Sequence, residues 1–152
     1  MAQSPTTQIR VTHRYAASPE RVFDAWLDPK IARRFLFATP TGEMIVCEID
    51  ARVGGLFDLT ERRPDMGEVK HVGQFLELDR PRRLVFTFGV PQFDPAMTRV
   101  EIDIRALGAG CELTLTHTDV GEDWAEGTKD GWTKILASLE PALAGKQAAG
   151  WI

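Results

Sequence analysis

Two side chains of this sequence combine a titratable group with a place on the inward face of a predicted β-strand. Glu61 continues the alternation of Phe57 and Leu59, and His117 lies on the inward face of a strand predicted at 111–119. A carboxyl group in an apolar space has a raised pKa and suits proton transfer, while an imidazole can polarise or deprotonate a bound molecule. Each also has a structural interpretation, with Glu61 beyond the rim of such a space and His117 hydrogen-bonded to the backbone or a carboxylate. The catalytic candidates are therefore Glu61 and His117, as acid and base.

Aromatic side chains could form the wall of a pocket for a flat or lipid-like molecule, or could simply fill the core. Phe35, Phe37 and Trp124 lie near loops or near the glycine-containing start of a C-terminal helix, where ligand contact is favoured over core packing. The residues that we expect to contact a ligand are Phe35, Phe37, Phe57, Phe75, Phe88, Met97, His117, Trp124 and Trp132.

Other familiar catalytic and metal-binding patterns are missing from the sequence. The three histidines and two cysteines are far apart and show no His-x-x-x-His or Cys-x-x-Cys spacing, so no metal ion is expected. No serine lies in a Gly-x-Ser-x-Gly turn, and Gly54-Gly55 is followed by neither the lysine nor the helix start of a phosphate-binding loop. We therefore expect no cofactor, a hairpin turn at Gly54-Gly55, and reduced core thiols at Cys47 and Cys111.

Length and charge limit the class of protein and its partners. The 152 residues, 43% hydrophobic and 26% charged, suit one globular domain with its own core. The formal charge of −4 opposes attraction to a phosphate backbone, so no nucleic acid is expected as a partner. The longest uncharged stretch, residues 84–93, is far shorter than the roughly 20 apolar residues of a membrane-spanning helix. The N-terminal residues lack a signal-peptide pattern, and the expected location is the cytoplasm, with no membrane partner.

Hydrophobic periodicity predicts the order of the elements that must position these residues. Residues 9–15 alternate as a strand, and Ser18-Pro19 is typical of the start of a helix, which Asp28-Pro29 ends. A short helical turn is expected next, and a stripe of apolar residues from Trp132 to Leu143 predicts a long C-terminal helix. Between them, period-two segments joined by short turns predict an antiparallel meander. Its predicted strands are 43–50, 55–62, 68–79, 83–90, 98–106 and 111–119.

These elements describe an α+β domain in which the sheet must curve around the final helix to bury it. A curved sheet that holds one helix encloses space, so an internal pocket is the expected binding site. Strand 68–79 has no clear inward parity, which suggests a β-bulge. An exposed edge strand would permit a symmetric homodimer, although charges such as those in strand 9–15 also guard an edge.

Several motifs resemble one protein family in sequence order. Residues 18–26, SPERVFDAW, resemble the start of the helix-grip superfamily, which includes START-like lipid carriers, polyketide cyclases and pathogenesis-related allergens. Residues 50–57, DARVGGLF, resemble the branch named for the activator of the 90-kilodalton heat-shock protein ATPase. Further matches follow in order at 73–78, 81–88, 113–118 and 131–132.

The resemblance covers residues 9–144 and implies a helix-grip fold, with a curved antiparallel sheet of about seven strands around a long C-terminal helix and two short helices after the first strand. It also implies a hydrophobic cavity between sheet and helix, entered near the helix start and the loops at 35–40 and 91–97. We expect one START-like domain at 8–144, with peripheral tails at 1–7 and 145–152.

Three functions compete on this scaffold. We favour a carrier or sensor that binds a small hydrophobic or aromatic molecule without committed chemistry. The first alternative is an enzyme of cyclase or hydrolase type that uses Glu61 and His117. The second is a co-regulator of a chaperone ATPase, with the chaperone as protein partner, because that activity is in the family's name.

Overall fold

A computed structural model describes residues 6–144, apart from the side chains of Asp94 and Pro95. Residues 1–5 and 145–152, which fall in the predicted tails, lie outside the described residues. The elements follow in the order β1 (Thr6–Tyr15), α1 (Pro19–Ala25), α2 (Pro29–Phe35), β2 (Glu43–Ile49), β3 (Leu56–Arg63), β4 (Gly67–Asp79), β5 (Arg83–Val90), β6 (Asp94–Leu107), β7 (Gly110–Gly121) and α3 (Glu122–Leu143).

The strands form one antiparallel sheet in the order β1-β7-β6-β5-β4-β3-β2. Short turns make β2 to β7 consecutive neighbours, whereas β1 pairs with β7 at the far side. The two edge strands, β1 and β2, are therefore consecutive in sequence and joined through α1 and α2. The sheet curves around α3, which confirms the predicted helix-grip fold.

The two short helices begin at the predicted capping residues. Ser18 Oγ accepts a hydrogen bond from the Arg21 amide at 3.2 Å, and the Asp28 carboxylate accepts one from the Lys30 amide at 2.9 Å. Each helix has a proline in its first turn, where backbone amides have no partner within the helix. Proline suits this position because it has no amide hydrogen. The second helix ends at Phe35, and the segment 36–42, here called the Phe37 loop, leads into β2.

Most boundaries of the later strands lie within two residues of the predicted ones, one boundary differs by four, and one predicted irregularity is present. β6 begins at Asp94, four residues before the predicted start, because Val90 pairs with Asp94 in a tight hairpin. The register of β4 against β5 shifts between Phe75 and Glu77, which confirms the predicted bulge.

Side-chain contacts fasten α3 to the first strand. The buried Tyr15 hydroxyl donates a hydrogen bond to the Leu136 carbonyl at 2.7 Å, and the Ala16 amide donates one to Glu140 Oε1 at 2.8 Å.

Cys47 and Cys111 are free thiols, and burial raises the pKa of both. Within residues 6–144, no helix is both long and apolar enough to span a membrane.

Candidate functional site

A cavity of about 470 Å³ lies between the sheet and the first half of α3. This volume lies within the range of roughly 300–1,000 Å³ that is usual for small-molecule sites. Its walls come from the Phe37 loop, from β3 to β7 and from α3. Phe93 and Trp124 line the cavity and are 53% and 62% exposed, so they mark where it opens to solvent.

Five of the nine predicted ligand contacts line this cavity together. They come from four different elements, which only the fold brings together: the Phe37 loop, β5, β7 and α3. The five residues are Phe37, Phe88, His117, Trp124 and Trp132.

The other four predicted contacts lie away from the cavity lining. Phe35 is fully buried at the end of α2, where its ring meets the edge of Trp26 at 5.3 Å between centroids. Phe57 and Phe75 line a second, much smaller space deeper in the core. Met97 is 45% exposed on β6, next to Gly89 but outside the lining. Alternation along a strand shows which face a side chain shares, but not how far along the sheet the open space extends.

His117 takes part in a hydrogen-bond chain that engages both ring nitrogens. Trp132 Nε1, which can only donate, lies 3.0 Å from Nδ1 of His117, so Nδ1 is the acceptor nitrogen. The ring proton is therefore on Nε2 and is donated to Thr98 Oγ1 at 2.6 Å. The Thr98 hydroxyl in turn donates to the Phe88 carbonyl at 3.0 Å. The chain links α3 to β7, β6 and β5 at the cavity wall.

Burial lowers the pKa of His117 to about 4, a shift that the Asp119 carboxylate opposes. A second proton on Nδ1 would also face the indole N–H of Trp132, with two donors opposed. His117 is thus a neutral imidazole at pH 7, with no lone pair to offer a ligand while these bonds persist.

Glu61 is 1% exposed and holds the Phe37 loop. Its carboxylate accepts hydrogen bonds from the Thr39 amide at 2.6 Å and the Thr39 hydroxyl at 3.1 Å, and pairs with Arg63 Nε at 2.6 Å. A Cβ at Gly42 would overlap the carboxylate, so glycine permits the close approach. Arg63 lines the cavity, whereas Glu61 lies behind it. Glu61 therefore positions the loop and its partner Arg63.

His71 is a cavity residue that was not among the predicted contacts. Its ring stacks on Phe37 with 4.3 Å between centroids and 1° between planes. Nδ1 donates a hydrogen bond to the Leu59 carbonyl at 3.0 Å, and burial lowers the pKa of His71 to about 4. The ring is neutral at pH 7, so Nε2 carries the lone pair. The alternation of Val69, His71 and Gly73 on one face of β4 could have indicated that His71 points inward. Apolar residues on the opposite face of the same strand concealed this pattern.

Charged groups are confined to the margin of the cavity. Arg63, Asp119, Asp130 and Lys134 all line it, and Lys134 Nζ pairs with Asp130 at 3.0 Å. Within residues 6–144, no three histidine, cysteine or acidic side chains group as metal ligands would. The site therefore combines an aromatic interior with a mixed-charge margin.

Comparisons with known proteins agree with this architecture. The family model described as Activator of Hsp90 ATPase homolog 1-like protein matches residues 16–144. A search of curated proteins finds no match.

Solved structures share the fold over most of the chain. Protein CV1439 from Chromobacterium violaceum has a TM-score of 0.77 at 26% identity, covering 89% of this chain and 96% of its own. CalU16 from Micromonospora echinospora has a TM-score of 0.68 at 26% identity, covering 91% of this chain and 77% of its own. The AHSA1-like protein from Aeromonas hydrophila has a TM-score of 0.77 at 21% identity, covering 91% of this chain and 93% of its own.

Proposed function

The chain belongs to the family of Activator of Hsp90 ATPase homolog 1-like proteins, and on that premise we propose that it binds a small hydrophobic or aromatic molecule as a carrier or sensor. The observation that carries the proposal is the open cavity of about 470 Å³ between sheet and α3, with aromatic walls. Protein interiors are normally close-packed, so an apolar space of this volume favours an occupant.

The state of the two acid–base candidates favours binding over catalysis. Both nitrogens of His117 are engaged by Trp132 and Thr98, and the carboxylate of Glu61 is engaged by Thr39 and Arg63. A general base must reach the proton that it abstracts, directly or through one water. In this arrangement His117 forms part of the wall and Glu61 supports the loop behind it.

The family's name refers to activation of a chaperone ATPase, and a chaperone is the alternative partner. No contact in the described residues favours that role over ligand binding. The cavity, by contrast, has a volume, a lining and an opening that a small molecule can use. The small molecule is therefore the partner that we propose.

Native mass spectrometry of the protein purified from its own cells tests the proposal. We expect a stoichiometric adduct of one mass, released as an apolar molecule on denaturation. The control is the same protein unfolded and refolded in buffer, which should show only the mass of the bare chain. Bare protein in both samples, together with no affinity for apolar aromatic probes, would contradict the proposal.

A further inference from the structure

Phe37 lies between the cavity and a second, smaller space deeper in the core. Its side chain lines both the cavity of about 470 Å³ and an inner void of about 10 Å³. The inner void is otherwise lined by eight residues, among them Trp26, Phe57, Phe75 and Phe86. Moving one aromatic ring would therefore join the two spaces.

One residue that lines the inner void has a buried hydrogen-bond donor without an acceptor. Trp26 is 2% exposed, and among the described side chains its indole Nε1 is the buried nitrogen or oxygen that has no hydrogen-bond partner. A buried donor left unpaired destabilises the fold, so native structures rarely retain one without a reason. The neighbouring rings of Phe35 and Phe86 offer at most a weak N–H···π contact.

A single water is a poor occupant of this void. The volume of the void is at the lower limit for holding one water, and a buried water needs two to four polar partners. Apart from the indole N–H of Trp26, every side chain that lines the void is apolar. The acceptor that suits this donor is therefore one carried by an apolar molecule.

The backbone of Phe37 is strained in a way that fits a movable partition. Its φ of 57° lies in the left-handed region, which is unfavourable for a residue other than glycine. The ring is held there between His71, at 4.3 Å, and Phe88, at 5.0 Å. Strain of this kind is common at ligand clamps and switch segments.

We propose that Phe37 moves aside on ligand binding and that the ligand is an apolar molecule with a carbonyl oxygen at its buried end, which accepts the indole N–H of Trp26. This inference rests on the proposed function and adds the chemical class of the ligand. A flat aromatic ketone fits it, because the body would lie among the cavity rings and the oxygen would enter the inner void.

The test compares two probes of the same shape, 2-acetylnaphthalene and 2-isopropenylnaphthalene, in which a CH₂ group replaces the carbonyl oxygen. We expect wild-type protein to bind the ketone about tenfold more tightly in calorimetric titrations. In Trp26→Phe the preference should vanish or reverse, because the carbonyl then loses its hydration without gaining a donor. In the control Trp124→Phe, at the cavity mouth, both affinities should fall together and keep their ratio.

Nuclear magnetic resonance of the wild-type protein gives a second readout that needs no variant. The indole N–H signal of Trp26 should move downfield with the ketone and not with the isopropenyl probe. The acetyl methyl group should show nuclear Overhauser contacts to Phe57 and Phe75, which line the inner void together with Phe37.

The outcomes separate the two levels of the hypothesis. Equal binding of both probes, a preference that survives in Trp26→Phe, or an unmoved Trp26 signal would overturn the carbonyl site and leave cavity binding intact. Binding of neither probe would overturn the carbonyl site, and bare protein in native mass spectrometry as well would overturn cavity binding.

Discussion

Gly131 offers a way to fill the cavity without disturbing the fold. It lies in α3 and lines the cavity, and apart from its two chain neighbours and the nearby helix backbone, no described atom lies within 4 Å of a Cβ added there. Gly127 lies one turn earlier in the same helix and has the same free space, but it does not line the cavity. The pair Gly131→Leu and Gly127→Leu therefore separates an effect on the helix from an effect on the site.

The two variants should have the same effect on stability. Replacing glycine in a helix interior with a good helix former such as leucine gains about 0.8 kcal/mol. For a domain of this length that corresponds to a rise in Tm of roughly 2–3 °C. Thermal unfolding followed by circular dichroism should show this rise for Gly131→Leu and for Gly127→Leu.

The two variants should differ in ligand affinity. The leucine side chain at position 131 would occupy part of the 470 Å³ cavity. A ligand that consequently buries one or two fewer CH₂ groups loses about 0.8–1.6 kcal/mol of binding free energy. The Kd for 1-anilinonaphthalene-8-sulfonate, measured by fluorescence titration, should rise about four- to fifteenfold in Gly131→Leu and stay at the wild-type value in Gly127→Leu. Equal affinity in all three proteins would show that the probe binds elsewhere and would refute the reasoning.

Two further predictions concern buried polar groups. His71 and His117 both have pKa values of about 4 in the fold against about 6.5 when unfolded, so the unfolded chain takes up protons first as the pH falls. The free energy of unfolding should therefore fall between pH 6.5 and 4, by up to roughly 3 kcal/mol for each histidine. Urea unfolding at pH 7, 5.5 and 4 measures this fall, and a flat profile would contradict it. Glu61→Gln removes the charge that pairs with Arg63 and weakens the hydrogen bonds to Thr39. It should lower the free energy of unfolding by about 1–3 kcal/mol and speed hydrogen exchange at the Thr39 amide. Exchange at the wild-type rate there would argue against a role of Glu61 in holding the Phe37 loop.

Local signals in the sequence predicted most of the fold because they act over a few residues. Ser18 and Asp28 cap helices through hydrogen bonds to amides two or three residues away, so their effect is visible in the sequence itself. The start of β6 was placed too late because the pairing of Asp94 with Val90 across the hairpin depends on turn geometry that composition does not specify.

The site was less predictable because it depends on which side chains leave space unfilled. Phe35 and Phe37 are two residues apart with the same residue type, yet one is fully buried in the core and the other lines the cavity. Phe37 also has a left-handed backbone, with a φ of 57°, which residue type and alternation do not reveal. His71 was missed for a related reason, since its strand has apolar residues on both faces and a bulge that changes the parity.

The cavity is assembled from parts of the chain that are made at different times. Phe37 and Thr39 come early in the sequence, whereas His117, Trp124 and Trp132 come from its last third, and the edge strand β1 waits for β7 as its partner. During synthesis the early aromatic residues therefore lack their cover until α3 has left the ribosome and docked. A ligand can recognise only the finished chain, and each tenfold excess over its Kd then adds about 1.4 kcal/mol to the stability of the whole domain.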